Sequence, residues 1–148
     1  NEINITSSSL NSNDSNYQPQ NVTLFDDNDK HFESEDKPNS WLCFDFKKHR
    51  IIPTDYTIRS CPWSPNNNHP KSWVIECSND NKSWETVDEE KDCSYLNGAS
   101  YSHTFTMNHQ KSTEFRYIRI RLTGTTWANH NYLKFCSFEI YGQLNYNL

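Results

Sequence analysis

The chain has 148 residues, a formal net charge of −5 and a hydrophobic content of 33%, with 14% of its residues aromatic. A length of this order fits one domain, here residues 1–148, and its core must rest on a few large side chains rather than many aliphatic ones. The negative charge argues against nucleic acid as the main partner; no apolar run reaches the roughly 18 residues of a membrane span; and the first ten residues lack the basic-then-apolar order of a signal peptide.

Residues 3–9 alternate briefly at Ile3 and Ile5, which predicts a short strand, and residues 10–20 form a polar Asn- and Ser-rich loop. Composition alone also allows that loop to be read as a disordered tail. In Trp41-Leu-Cys-Phe-Asp-Phe46, Leu42, Phe44 and Phe46 share one face and Trp41, Cys43 and Asp45 the other, so a strand with two partly covered faces is expected. Tyr56-Thr-Ile-Arg-Ser-Cys61 is the next strand, ended by Pro62 and Pro65, with a polar loop from Trp63 to His69.

Residues 72–87 read as a hairpin. Trp73, Ile75 and Cys77 share one parity, a polar Ser78-Asn-Asp-Asn-Lys-Ser83 turn follows, and Trp84 opens the return strand, leaving Glu76 and Glu85 toward water. Further strands are expected over residues 101–107, 115–123 and 133–141, with a short tail at 143–148. Within the second of these, Ile118, Ile120 and Leu122 face inward, while Arg119 and Arg121 form, with Arg116, a solvated or salt-bridged basic face. Trp41, Trp73 and Trp84 occupy strand positions and are expected in the core. Period two throughout, with about eight strands joined by turns, predicts an all-β antiparallel sandwich with jelly-roll topology.

Catalytic patterns are lacking. The chain has no H-E-x-x-H, no G-x-S-x-G, only three glycines, and six histidines scattered without metal-ligand spacing, so no enzyme is expected. Five cysteines cannot all pair within the chain, and none lies in a C-x-x-C, which makes reduced thiols the simplest reading. Four glycosylation sequons, at Asn4, Asn13, Asn21 and Asn81, are about as many as this Asn- and Ser-rich composition yields by chance.

Six segments, in this order, carry a resemblance: Phe25-Asp-Asp-Asn-Asp-Lys-His-Phe32, Asn39-Ser-Trp-Leu-Cys-Phe-Asp-Phe46, Tyr56-Thr-Ile-Arg-Ser60, the Trp73 to Trp84 hairpin, residues 115–123, and Phe138-Glu-Ile-Tyr-Gly142. Together they resemble the discoidin domains, the coagulation factor 5/8 type C family, with a galactose-binding-like jelly roll over nearly the whole chain, and look most like the intracellular protist versions. The resemblance implies a non-catalytic binding module, excised from a larger chain. Secreted members often close their termini with a disulfide, which the cysteine positions here do not permit, so an intracellular compartment is favoured.

The resemblance also implies site residues. A structural calcium would fall to Asp26, Asp29 and Glu139, although Asp27 stands where glycine is usual and Lys30-His31 where a threonine ligand is usual; the other reading is an acidic turn, with Glu139 paired to a strand arginine. A sugar-like surface would use Arg59, Glu33, an amide from Asn66 to Asn68 (Asn67 foremost), and Trp127 as an aromatic plate, rimmed by Trp63, His69 and His130. Arg59 is equally open to pairing with a carboxylate on a sheet face, and Trp127 to plugging the end of the sandwich. The function expected first is docking of a protein partner through these loops, the alternative being a carbohydrate-binding, galactose-type module. Membrane binding is disfavoured by the acidic first loop. A sugar site needs an exposed aromatic and polar groups in a small area, whereas protein docking needs a broader apolar patch.

Overall fold

The computed structural model describes residues 3–24, 30–108 and 113–146. Its described strands are β1 (Asn4–Ser7), β2 (Phe32–Glu33), β3 (Trp41–Asp45), β4 (His49–Arg59), β5 (Trp73–Ser78), β6 (Glu85–Glu90), β7 (Ser102–Thr106), β8 (Tyr117–Leu122), β9 (Lys134–Phe135) and β10 (Ser137–Tyr146). They form an antiparallel five-stranded sheet in the order β1-β3-β8-β5-β6, a three-stranded sheet β10-β4-β7, and a two-stranded ribbon of β2 with β9. The all-β sandwich expected from the alternation is the architecture found.

Alternation sets the layers. Leu42 and Phe44 of β3, Ile118, Ile120 and Leu122 of β8, and Trp73, Ile75 and Cys77 of β5 point to one side and bury against Tyr56, Ile58, Phe105 and Phe138 of the smaller sheet. Within the smaller sheet Tyr56 lies stacked against Phe105 at 5.1 Å and Phe138 at 5.5 Å, and the two layers meet where Trp73 packs edge-on against Phe105 and Phe44 stacks on Phe138. The indole Nε1 of Trp73 donates to the Tyr56 hydroxyl at 3.0 Å, and that hydroxyl donates to Asp88 of β6. A fully buried indole N–H is thereby satisfied, and one chain of hydrogen bonds ties β4, β5 and β6.

The hairpin turn follows from its residues. The Asp80 carboxylate accepts from the backbone N–H of Lys82 and Ser83, which holds its pKa down to about 2, and Asn81 takes the left-handed φ of 60°. Beyond it the outer face of the larger sheet departs from expectation. Glu76 is buried rather than wet, because Arg119 and Arg121 close over it at 3.0 and 2.9 Å. Trp41 and Trp84 are half-buried on this face and not in the core, with Arg119 lying 3.8 Å over the Trp84 ring. Arg116 grips Asp45 through two hydrogen bonds, so the basic strand is a salt-bridged face.

Three boundaries also differ. β4 begins seven residues earlier than expected, at His49, because Pro53 sits at a register shift opposite Gly142, where a missing N–H is tolerated. A Cβ at Gly142 would run into the Ile52 carbonyl oxygen, so the bulge requires glycine. The tail expected at 143–148 is strand as far as Tyr146, paired to the early part of β4. Finally, residues 10–20 are ordered by two 3₁₀ turns, Ser15–Tyr17 and Pro19–Thr23, the first capped by Asp14.

Replacing Tyr56 by Phe removes the acceptor of the buried Trp73 N–H and is expected to cost about 1–3 kcal/mol in urea unfolding, whereas Trp84→Ala, on the wet face, is expected to cost about 1 kcal/mol.

Candidate functional site

One end of the sandwich gathers the loops around residues 10–18, 30–37, 60–71, 94–101 and 124–134. At its centre is Glu33. This residue lies on β2 directly opposite Lys134 of β9, in a ribbon whose ends are closed by Ser34, which donates to Glu35 and accepts from the Leu133 amide. Glu33 is only 7% exposed, and a carboxylate so placed needs its oxygens satisfied. Oε1 lies 2.9 Å from Lys134 Nζ and 3.1 Å from His31 Nε2, and Oε2 accepts from the Asn11 amide.

Burial pushes the Glu33 carboxyl upward, but the hydrogen bonds from His31, Lys134 and Asn11 and the charge of Lys134 outweigh it and hold the pKa at about 2. An ionised carboxylate only accepts, so His31 carries its proton on Nε2. The His31 backbone is fixed in turn, its N–H donating to the Asn16 carbonyl and its own carbonyl accepting from the buried Asn21 amide. Its ring meets Tyr17 and Trp63 edge-on at 5.0 and 5.2 Å.

Trp63 completes the cluster. Lys134 Nζ sits 3.9 Å over its ring, while the residue remains 37% exposed. Its backbone is clamped on both sides: the N–H donates to the Cys61 carbonyl at 2.8 Å, and the carbonyl lies 2.9 Å from His69 Nε2. The result is a tryptophan plate with one face against a cation, an edge against a histidine and the rest open to water. Such a surface offers apolar area beside fixed polar groups at little entropic cost on binding.

The other sequence-derived residues are distributed around this cluster. Arg59 is half-buried at the end of β4, its carbonyl accepting from Cys136. His69, expected on the rim, is 1% exposed and braces the Trp63-Ser64 turn through Nε2. Asn67 is exposed, but its amide nitrogen is taken up by the Ser64 carbonyl and hydroxyl. Asn66 and Asn97 exchange hydrogen bonds that pin two loops together.

Trp127 is half-buried on the far side of His69, where its indole N–H reaches the Cys93 carbonyl and Lys71 Nζ lies 4.6 Å over the ring. His130 is exposed with Nδ1 3.7 Å from Asp36. Sequence reading missed His31, Asn11 and Lys134 as partners of Glu33: His31 lies only two residues away, Asn11 is a neutral amide in a polar loop, and Lys134 is an opposite charge about 100 residues distant that no local pattern reveals.

Of the calcium residues, Asp26 and Asp29 lie outside the described residues. Glu139 is exposed on β10 opposite Thr57 and accepts from the Tyr141 hydroxyl at 2.8 Å, not from an arginine. Among the described residues no group of three or more His, Cys, Asp or Glu side chains is placed to hold a metal. Glu139 lies beside an open, largely apolar cavity of 750 Å³ between β1 and β10, lined by Ile5, Phe44, Phe46, Phe138 and Leu144 among others.

The pH dependence of stability reports on Glu33. Its folded pKa lies below the usual carboxylate range, so its stabilisation is complete above about pH 4.5 and is lost as the pH falls toward 2, a change of about 3 kcal/mol. In urea unfolding at stepped pH, Glu33→Gln is expected to be less stable at pH 7 and to lack most of that acid slope.

Comparison with known proteins agrees with this architecture. The family model "F5/8 type C domain" matches residues 4–138. A segment of the E3 ubiquitin-protein ligase hecd-1 of Caenorhabditis elegans is 26% identical over 128 residues, covering 86% of this chain but only 5% of that protein. The Clostridium perfringens module CpGH89CBM32-5, solved in complex with GalNAc-beta-1,3-galactose, superposes with a TM-score of 0.72 at 10% identity, covering 95% of both chains. A fucolectin from striped bass (Morone saxatilis) serum gives 0.68 at 20% identity, over 95% of this chain and 47% of that one. With the family model spanning nearly all of an antiparallel β-sandwich whose loops converge at one end, the chain belongs to the F5/8 type C, or discoidin, domain family.

Proposed function

We propose that this domain is a non-catalytic module that binds a neutral saccharide at the Trp63 end of the sandwich. The observation that carries this reading is the Trp63 plate itself, exposed yet immobilised, with Lys134 against one face and the Glu33–His31 pair behind it. The apolar face of a sugar ring stacks on such a plate while its hydroxyls find donors and acceptors in fixed directions. The cluster carries little net charge, because Lys134 is neutralised by Glu33, and this favours an uncharged ligand. Solved neighbours with this fold, in complex with GalNAc-beta-1,3-galactose or with chitotriose, and a fucose binding module of Streptococcus pneumoniae support the same class.

Protein docking is the second reading. Its support is the apolar cavity between β1 and β10, bordered by the exposed Ile3 and Leu144, and the occurrence of a similar segment inside a much larger ligase.

A glycan array of the purified domain, with Trp63→Ala and Trp127→Ala beside it, tests the proposal. Binding to neutral glycans should fall at least about tenfold in Trp63→Ala, the loss expected from deleting one stacking contact of about 1.4 kcal/mol, and should persist in Trp127→Ala. A folded domain that binds nothing on the array, or a Trp63→Ala variant that binds as before, would reject it.

A further inference from the structure

The loop that carries Trp63 is tied on both sides to one neighbour, the loop around residues 94–101. Before Trp63, the Ser60 hydroxyl donates to the Gly98 carbonyl at 2.7 Å and accepts from the Tyr101 N–H, while the Ser100 N–H donates to the Cys61 carbonyl. After Trp63 the tie is made by a side chain. The Asn66 N–H donates to Asn97 Oδ1 at 2.8 Å, and Asn97 Nδ2 donates to Asn66 Oδ1 at 3.2 Å. A backbone N–H only donates, so it fixes which way the Asn97 amide faces. Asn66 itself holds a left-handed φ of 65°, which asparagine tolerates. Asn97 also opens the one Asn-Gly step of the chain. Such a step is prone to deamidation, because glycine has no side chain to hinder attack of its backbone nitrogen on the asparagine Cγ. Packing requires the glycine here: a Cβ at position 98 would run into the Tyr101 ring. Two contacts restrain the attack. The Gly98 N–H is engaged with the Leu96 carbonyl at 3.0 Å, and the Asn97 amide is held by Asn66, so both must be released by a local opening of the loop.

We propose that Asn97 is a site of spontaneous covalent modification, held in check by the Asn66 side chain, and that its conversion to an acid unlatches the far side of the Trp63 loop. The Gly98 nitrogen loses its proton and attacks Asn97 Cγ; a carbon–nitrogen bond forms to Gly98, the bond to the amide nitrogen breaks, and ammonia leaves with the proton. Water then opens the resulting cyclic imide at either carbonyl, giving an aspartate or an isoaspartate at position 97. One water enters and one ammonia departs, with no change of oxidation state. Either product loses the N–H that donates to Asn66 Oδ1 and brings a negative charge against that oxygen. The isoaspartate also lengthens the main chain by one carbon and withdraws the group that Asn66 binds. The ties through Ser60 and Cys61 do not use the Asn97 side chain, so the near side of the Trp63 loop stays in place while the far side is freed.

The test ages the folded domain beside its Asn66→Gly and Asn66→Asp variants at mildly alkaline pH and maps peptides by mass spectrometry, with enzymatic labelling of isoaspartate. Asn66→Gly accepts the left-handed backbone and deletes the Oδ1 acceptor, whereas Asn66→Asp keeps both. Conversion at Asn97 is expected to run at least about fivefold faster in Asn66→Gly than in the unaltered domain, the shift that losing one hydrogen bond gives a local opening. In Asn66→Asp it should keep the original rate. Amide hydrogen exchange of residues 62–68 should quicken in the converted protein, while the β5–β6 hairpin exchanges as before. The proposal is overturned if Asn66→Gly converts Asn97 no faster than the unaltered domain, or if residues 62–68 exchange at their old rate after conversion. It is equally overturned if the acceleration spreads over several asparagines, which would report a loosened fold rather than a released clamp. None of these readouts involves saccharide binding, so this inference and the glycan reading fail separately.

Discussion

A single buried carboxylate organises the end of this sandwich where ligands are proposed to bind. Glu33 joins the Asn- and Ser-rich loop through Asn11, its own ribbon through Lys134, and the histidine two residues before it. Breaking one partner of such a group is costly, because the remaining charge is left buried and unpaired. The cluster is therefore all-or-nothing: ionised and fully bonded, it sets the position of Lys134, and Lys134 in turn sets one face of Trp63. Segments distant in sequence thus converge on one small polar site.

The rest of the fold supplies the platform. The two sheets are joined by the Phe44–Phe138 and Trp73–Phe105 ring contacts and by the Trp73–Tyr56–Asp88 relay, so the strand ends that carry the loops have little freedom to shift. The outer face of the larger sheet is occupied by its own ion pairs, with Glu76 held between two arginines and Arg116 on Asp45, and it has little unsatisfied charge to offer a partner. Among the described residues, the Trp63 end and the apolar cavity between β1 and β10 offer apolar surface of a different kind.

Much of this could be read from residue patterns, and the failures have physical causes. Alternation in residues 41–46, 72–78 and 115–123 reveals the core strands because one parity of each is apolar and packs into the core, and Asp80 and Asn81 announce their turn through their own chemistry. The early half of β4 was hidden by Pro53, which argues against a strand unless its bulge partner Gly142 is known. Trp84 was misplaced because strand position does not say which face a residue takes when an arginine can cover it. At the site, Glu33, Arg59 and Trp63 could be named, but which side chains meet depends on pairings such as Glu33 with Lys134, and long-range register leaves no local trace. His69 shows the converse: a polar loop residue whose ring is used up in bracing a turn.

The account stands or falls on Trp63 being the surface that meets ligand. The five tryptophans give five indole N–H resonances in a proton–nitrogen correlation spectrum, each reporting a different region of the fold. Titration with a glycan selected on the array should move the Trp63 indole resonance first and furthest, leaving those of the buried Trp73 and of Trp127 nearly still. Saturable movement of the Trp127 resonance, with Trp63 unchanged, would contradict the account and place the ligand on the opposite side of His69.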